Sequence, residues 1–274
     1  MKTRFLPIMA LFCASSAAAG GWTQPAGDAY LKVWHRSLVG NAAYTADGEV
    51  LDLSETYIDQ LTQFYGEVGL TDQLTLVFQG APVGYAAYGD ESTTYVGATG
   101  AGLRSGIAVG KLRLAVEGRY SYAPDVGEDV LAAELVDDVA ITYVPTVETH
   151  AIQGDLQAGY PLSFGWVTGN VGYRWHSREG LDAAIVGFAQ LGWQASKTVQ
   201  ADVHFNLWEP LGSVEVTNVA GAGQTRYLGL GFGGSWWLNE GFALNAGLEG
   251  VVYAESNAAT PTLTLGVEHR GSWW

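Results

Sequence analysis

Residues 235 to 250 read SWWLNEGFALNAGLEG: an aromatic pair, a polar turn at Asn239-Glu240, and a second run in which apolar and small or polar residues alternate. The phrase recurs as YGEVGLTDQLTLVF at 65 to 78 and as LGWQASKTVQADVHF at 191 to 205. Alternation with a period of two puts one kind of residue on each face of an extended strand, and the polar pair reverses the chain. Each phrase therefore reads as a β-hairpin.

Other runs carry the same signal. From 199 to 208, Val199, Ala201, Val203, Phe205 and Leu207 interleave with Gln200, Asp202, His204, Asn206 and Trp208. From 112 to 122 an apolar parity of Leu112, Leu114, Val116, Tyr120 and Tyr122 alternates with Arg113, Glu117 and Arg119. The pattern predicts strands near 28–39, 55–69, 74–83, 97–109, 112–122, 147–160, 165–176, 183–194, 198–208, 225–237, 241–253 and 262–271. The connections alternate in length. Tight turns such as Thr71-Asp72-Gln73 fall on one side, and mostly longer, often acidic loops on the other, the longest from Ala123 to Thr146.

An even number of antiparallel strands, about twelve, with short turns at one end and long loops at the other is the pattern of an outer-membrane barrel. In lipid every backbone N–H and C=O must be paired within the protein, so a sheet can span only if it closes. The expected fold is therefore all-β, a membrane-spanning antiparallel up-and-down barrel over residues 28–274. Tyr160, Trp166, Trp193, Trp236 and Trp237 are expected at the turn-side interface, and Tyr120, Tyr122, Tyr173, Trp175 and Tyr253 at the other. A chain ending in Trp273-Trp274 fits such a barrel. A secreted sandwich or lipocalin-like barrel also alternates, but it would turn its polar face outward and has no need of the loop asymmetry.

The beginning of the chain agrees. MKTRFLPIMALFCASSAAAGGW has Lys2 and Arg4, an apolar run from Phe5 to Ala14, and Ala17-Ala18-Ala19. That is the build of a secretory signal peptide over residues 1–19, with an apolar run too short to span as a helix. Residues 20–27 would follow as a short periplasmic segment. Cys13, the only cysteine, lies in the signal, so neither disulfide nor thiol chemistry is expected beyond it. A net charge of −15 argues against a nucleic-acid partner, whose phosphates would be repelled.

If the apolar parity faces lipid, the other lines the lumen. It carries Arg104, Arg113, Glu117, Arg119, Asp155, Arg174 and Asp202, with Lys32, Arg36, Asp59, Glu67, His204, Glu249 and Glu268 among their neighbours in the pattern. One reading is a core of cross-strand ion pairs that holds a narrow barrel in shape. The other is a polar conduit, and a passive channel or transporter for small solutes, in which the first seven set the constriction and charge preference. Twelve strands lie between barrels packed solid and the wide porins. A further possibility makes the acidic loops the active part, receiving a surface partner or bridging lipopolysaccharide through divalent cations.

Enzymatic and metal chemistry find little to rest on. His35 and Ser37 lie two apart on one strand face, as a nucleophile and its base would, but no orienting Asn or Asp is evident nearby. The five histidines show no ligand spacing, so neither a metal site nor a cofactor is expected.

Two segments resemble a known group. GGWTQPAGDAYLKVWHR at 20 to 36 resembles the GxW-x-x-P-x-G opening of a large set of bacterial outer-membrane proteins, and QFYGEVGLTDQLTL at 63 to 76 is similar to their E-[YF]-G-[LI]-T-D-x-L-T hairpin. The group includes proteins assigned to MetA-pathway phenol degradation and related outer-membrane transporters. The hairpin carries the more specific match, through Glu67, Gly69, Leu70, Thr71, Asp72 and Leu74. Asp28-Ala29 departs from the pattern of the opening. The resemblance implies a location in the outer membrane and a barrel fold.

Overall fold

Because successive side chains of a strand point to opposite faces, a closed sheet can be apolar outside and polar inside without a separate core. The computed structural model describes residues 21–222 and 224–272 and realises this arrangement. Twelve strands form the wall: β1 (Asp28–Tyr44), β2 (Val50–Thr71), β3 (Leu74–Tyr88), β4 (Thr99–Val109), β5 (Leu112–Ala123), β6 (Thr149–Pro161), β7 (Gly165–His176), β8 (Ala184–Gln194), β9 (Val199–Pro210), β10 (Arg226–Trp237), β11 (Phe242–Glu255) and β12 (Thr262–Ser272). Each pairs antiparallel with the next, and β12 returns to β1 from Asp28↔Ser272 to Ser37↔Leu263. The ladder has no free edge. The signal-peptide expectation and the terminal Trp273-Trp274 lie outside the described residues.

The outward parity is apolar and exposed, as a lipid-facing surface requires: Val116 54%, Leu156 64%, Phe232 58% and Leu265 56%. Tyr160, Trp193, Trp236, Tyr120, Tyr173, Trp175 and Tyr253 are exposed as well. Tyr122 is half-buried, its hydroxyl donating to Glu148 Oε1 at 2.9 Å, and two more depart further. Trp166 and Trp237 are buried and point inward, where Trp166 Nε1 donates to Gln190 Oε1 at 3.1 Å and the Arg270 guanidinium lies 3.8 Å from the Trp237 ring centre. The pleat explains Trp237, since two adjacent aromatics cannot share one face.

The first three strands run longer than their alternation suggested, and β2 covers 22 residues. Their extra length carries an inner apolar cluster at the loop end, including Leu53, Tyr57, Ala86 and Tyr88. A hairpin from the longest loop packs on it. Its strands, Ala132–Val136 and Val139–Tyr143, are joined by Asp137 and Asp138, both at positive φ as a two-residue turn demands. Ile141 and Tyr143 are buried, and the Tyr143 hydroxyl donates to the Ile58 carbonyl at 2.7 Å. Thr217–Asn218 adds a parallel pairing to this hairpin. The segment read as a loop from Ala123 to Thr146 is thus in part a small folded lid over the loop-end mouth.

Candidate functional site: the barrel interior

The opposite mouth is narrowed by the residues that precede β1. Gly27 N–H donates to the Gly69 carbonyl at 2.9 Å, and Ala26 N–H to Asp72 Oδ1 at 3.1 Å. Gln24 N–H donates to Thr75 Oγ1 at 2.8 Å and its side-chain amide to Glu67 Oε2 at 2.6 Å. The Trp22 ring lies so close to the inner wall that a Cβ on Gly159 would meet Cζ3 at 2.2 Å. The two segments that carry the family resemblance, the opening and the Thr71-Asp72 hairpin, are therefore bonded to one another. Thr71 Oγ1 accepts from the amides of Gln73 and Leu74, as a turn side chain does, and Asp72 has a use that lies outside the turn: it accepts the incoming chain.

Between the two mouths the interior divides into unlike halves. On β2 and β4–β7 the charges interlock. Arg104 Nε donates to Glu117 Oε2 at 2.9 Å, and Nη1 donates to Glu67 Oε1 at 2.7 Å and to the Trp22 carbonyl at 3.1 Å. Arg119 lies 3.5 Å from both Glu117 and Asp155 and donates to Gln79 Oε1 at 2.8 Å. Gln157 donates to Glu117, Gln153 donates to Asp155, and Arg174 donates to Gln153 Oε1 at 3.2 Å. Side-chain exposure here is 2% for Arg104, 0% for Glu67 and Asp155, and 2% for Glu117. Three carboxylates and three guanidinium groups cancel. Charges this deep persist only when paired and hydrogen-bonded, which this network achieves.

The other half, on β1 and β9–β12, is looser. Arg36 Nη2 donates to Asp59 Oδ1 at 3.0 Å, and Lys32 Nζ lies 3.9 Å from Glu268. His204 Nδ1 lies 2.8 Å from Asp202 Oδ1, and its Nε2 lies 3.4 Å from Glu249 Oε2, which also accepts Asn206 Nδ2 at 2.9 Å. Side-chain exposure is 30% for Lys32, 32% for Arg36, 20% for His204 and 34% for Glu249. A cavity of about 220 Å³ opens at the loop end of this half, under Tyr143, lined by Arg36, Asp59, Tyr227, Glu249 and Thr262.

Of the seven candidates, Arg104, Glu117, Arg119, Asp155 and Arg174 come together in the interlocked half. Asp202 stands apart in the looser one. Arg113 sits at the turn rim, where Nη1 donates to the Gly110 carbonyl at 2.8 Å and to the Leu112 carbonyl at 3.3 Å. Glu67 and Gln153, which complete the network, were visible only as inward members of their strands. His35 and Ser37 lie on the outward parity of β1, and the His35 ring bonds Thr62 Oγ1 at 3.2 Å.

No family model and no curated protein matches this chain. Solved structures do. The COG4313 outer membrane channel from Pseudomonas putida F1 is similar, with a TM-score of 0.66 at 15% identity over 92% of this chain and 98% of that one. The translocator domain of the autotransporter NalP from Neisseria meningitidis gives a TM-score of 0.48 at 11% identity, covering 90% of each chain. An anion-selective porin from Comamonas acidovorans gives 0.40 at 10%, over 89% of this chain and 98% of that one. At such identities the likeness to the Pseudomonas channel speaks for the fold alone: the chain shares that channel's architecture, a closed twelve-stranded antiparallel β-barrel.

Proposed function

We propose that the protein is a narrow, passive channel for small solutes in the bacterial outer membrane. The observation that carries this reading is the partial exposure of charges inside a closed wall, with Lys32 at 30% and Glu249 at 34%. A barrel packed solid with side chains would bury them. The apolar outward band is the lipid contact, the turn end faces the periplasm and the loop end the outside. The lid and the segment at 21–27 narrow the two mouths, which favours ions and small molecules over bulky ones. Membership of the phenol-degradation and transporter group belongs to the same reading, and the bonding of its two characteristic segments to one another supports it. Liposome swelling with solutes of graded size tests it. Swelling is expected for the smallest solutes and should fall off steeply with size. Liposomes that carry folded protein and swell with none of them would refute it.

A further inference from the structure

We propose that the solute path runs along one side of the lumen only, against β9–β12 and β1, and that Asp202, His204 and Glu249 make this path prefer cations. The inference rests on the channel reading above and adds where the path lies and which class of solute it favours.

Water access places the path. Inside a closed barrel, a side chain is exposed only if it borders space that solvent can occupy. The interlocked half offers little, with Arg104 and Glu117 each at 2%, Arg119 at 14% and Arg174 half-buried at its edge. Lys32, Arg36, Asp202, His204 and Glu249 range from 18% to 34%, with the partner carboxylates Asp59 and Glu268 tucked beneath them at 5% and 9%.

The sequence of β10 makes that space. Its inward positions include Gly229, Gly231 and Gly233, which send no side chain into the lumen. The acid–imidazole–acid trio lies flat over this strip. A Cβ on Gly231 would meet His204 Nε2 at 2.1 Å, one on Gly233 would meet Asp202 Oδ2 at 2.6 Å, and one on Gly229 would meet Glu249 Oε1 at 2.8 Å. The glycines thus let three polar side chains lie along the wall instead of across the lumen. Gly247 on β11 and Gly266 on β12 are inward as well, Gly266 beside the inward Trp34 of β1.

Charge then sets the preference. The network on β2 and β4–β7 is internally neutral. On the open side, Arg36 cancels Asp59 and Lys32 cancels Glu268. At mid-depth two carboxylates and one imidazole remain, because Arg270, also inward on this side, sits at the turn end over Trp237 with its Nε donating to the Glu240 carbonyl. Even a doubly protonated ring, the form that donates from both nitrogens, leaves one negative charge uncompensated at mid-depth. Field lines concentrate in a water-filled path with low-dielectric walls, so this surplus attracts cations and repels anions.

The test is cysteine modification during single-channel recording, with Cys13→Ser as the background so that each engineered thiol stands alone. Thr264→Cys faces the open side, and Ser121→Cys, of similar size, faces the interlocked side, where Ser121 is buried. A trimethylammonium-bearing thiosulfonate reagent should cut the conductance of Thr264→Cys and leave Ser121→Cys unchanged. Separately, Asp202→Asn with Glu249→Gln removes two carboxylate charges and should lower the cation-to-anion permeability ratio by at least about fivefold, the effect on a single ion of one unit charge about 4 Å away in water. Modification that acts equally on both thiols, or only on Ser121→Cys, overturns the one-sided path while the channel reading stands. An unchanged permeability ratio overturns the role of the trio. Folded protein that never conducts overturns both the path and the channel.

Discussion

Arg104 and Glu117 are register partners across the β4–β5 ladder, and their side chains close on each other at 2.9 Å in a part of the lumen where neither is more than 2% exposed. The same guanidinium reaches Glu67 on β2 and the carbonyl of Trp22. One arginine thereby ties three wall strands and the segment that narrows the turn-end mouth. Arg104→Met would strand two buried carboxylates at once. Breaking a buried pair by removing one partner costs about 3–5 kcal/mol. Denaturant unfolding followed by tryptophan fluorescence should register a loss of that size, and adding Glu67→Gln and Glu117→Gln should restore much of it. An unaltered midpoint for the single variant would mean that the network adds nothing to stability.

The lid depends on Tyr143, which packs edge-on against Tyr57 at 6.2 Å and Tyr88 at 6.1 Å between ring centres. Truncating a buried aromatic costs about 3–5 kcal/mol, and here the loss falls on a hairpin that can leave the mouth without opening the wall. Tyr143→Ala should therefore raise single-channel conductance and hydrogen exchange at 132–143, with the barrel's thermal transition nearly unmoved. If conductance stays the same although the hairpin exchanges freely, the lid does not narrow the path.

At the other mouth, Asp72 is the acceptor for the Ala26 amide, and its backbone carbonyl accepts from Thr23. Asp72→Ala removes the first bond, worth about 1 kcal/mol. The expected result is faster proteolysis near Trp22 under native conditions, with the strands still protected. Equal cleavage rates for both proteins would count against the anchoring role.

The lipid face makes a sharper demand. Leu156 is 64% exposed on the outward parity of β6, and Asp155, its neighbour, is buried inside. Leu156→Arg should cost about 2–4 kcal/mol if it lies near the bilayer midplane. Folding titrations into lipid vesicles would measure it, and a cost close to zero would argue that this surface does not meet lipid.

Acid should loosen one loop contact. Glu128 accepts from Arg178 and from the Glu148 amide, so it joins the β5–β6 and β7–β8 connections. The hydrogen bond from Arg178 holds its carboxyl below the ordinary glutamate range. A carboxylate with a depressed folded value contributes stability above its unfolded value and loses it as pH falls through the folded one. Protection of the Glu148 amide, the slowing of its exchange relative to the intrinsic rate at each pH, should therefore fall on acidification below the normal glutamate range, and Glu128→Gln should abolish that change in protection. Protection that stays the same across that pH range in the unmodified protein would show that the bond is not formed.

The sequence made the wall legible because lipid forces every strand to declare two faces. The run from Val199 to Trp208 announces its inward residues one by one, and the structure keeps that parity. What stayed hidden was everything that depends on contact across the lumen. Nothing local distinguishes Arg104, locked by two carboxylates, from Arg113, spent on turn carbonyls. The lid lay within what reads in sequence as the longest loop, Ala123 to Thr146. Its partner surface, however, lies on extensions of β1–β3 whose inward residues Leu53 and Tyr57 break the polar rhythm of a lumen face. The glycines of β10 were counted as strand residues, although their use lies in the side chains that they make room for.

The central claim is an open, water-filled passage, and single-channel recording of the refolded protein in a planar lipid bilayer tests it most directly. Discrete, stable current steps that reverse at a cation-preferring potential in a salt gradient are the predicted result. Electrical silence from bilayers shown to contain the folded barrel would contradict it.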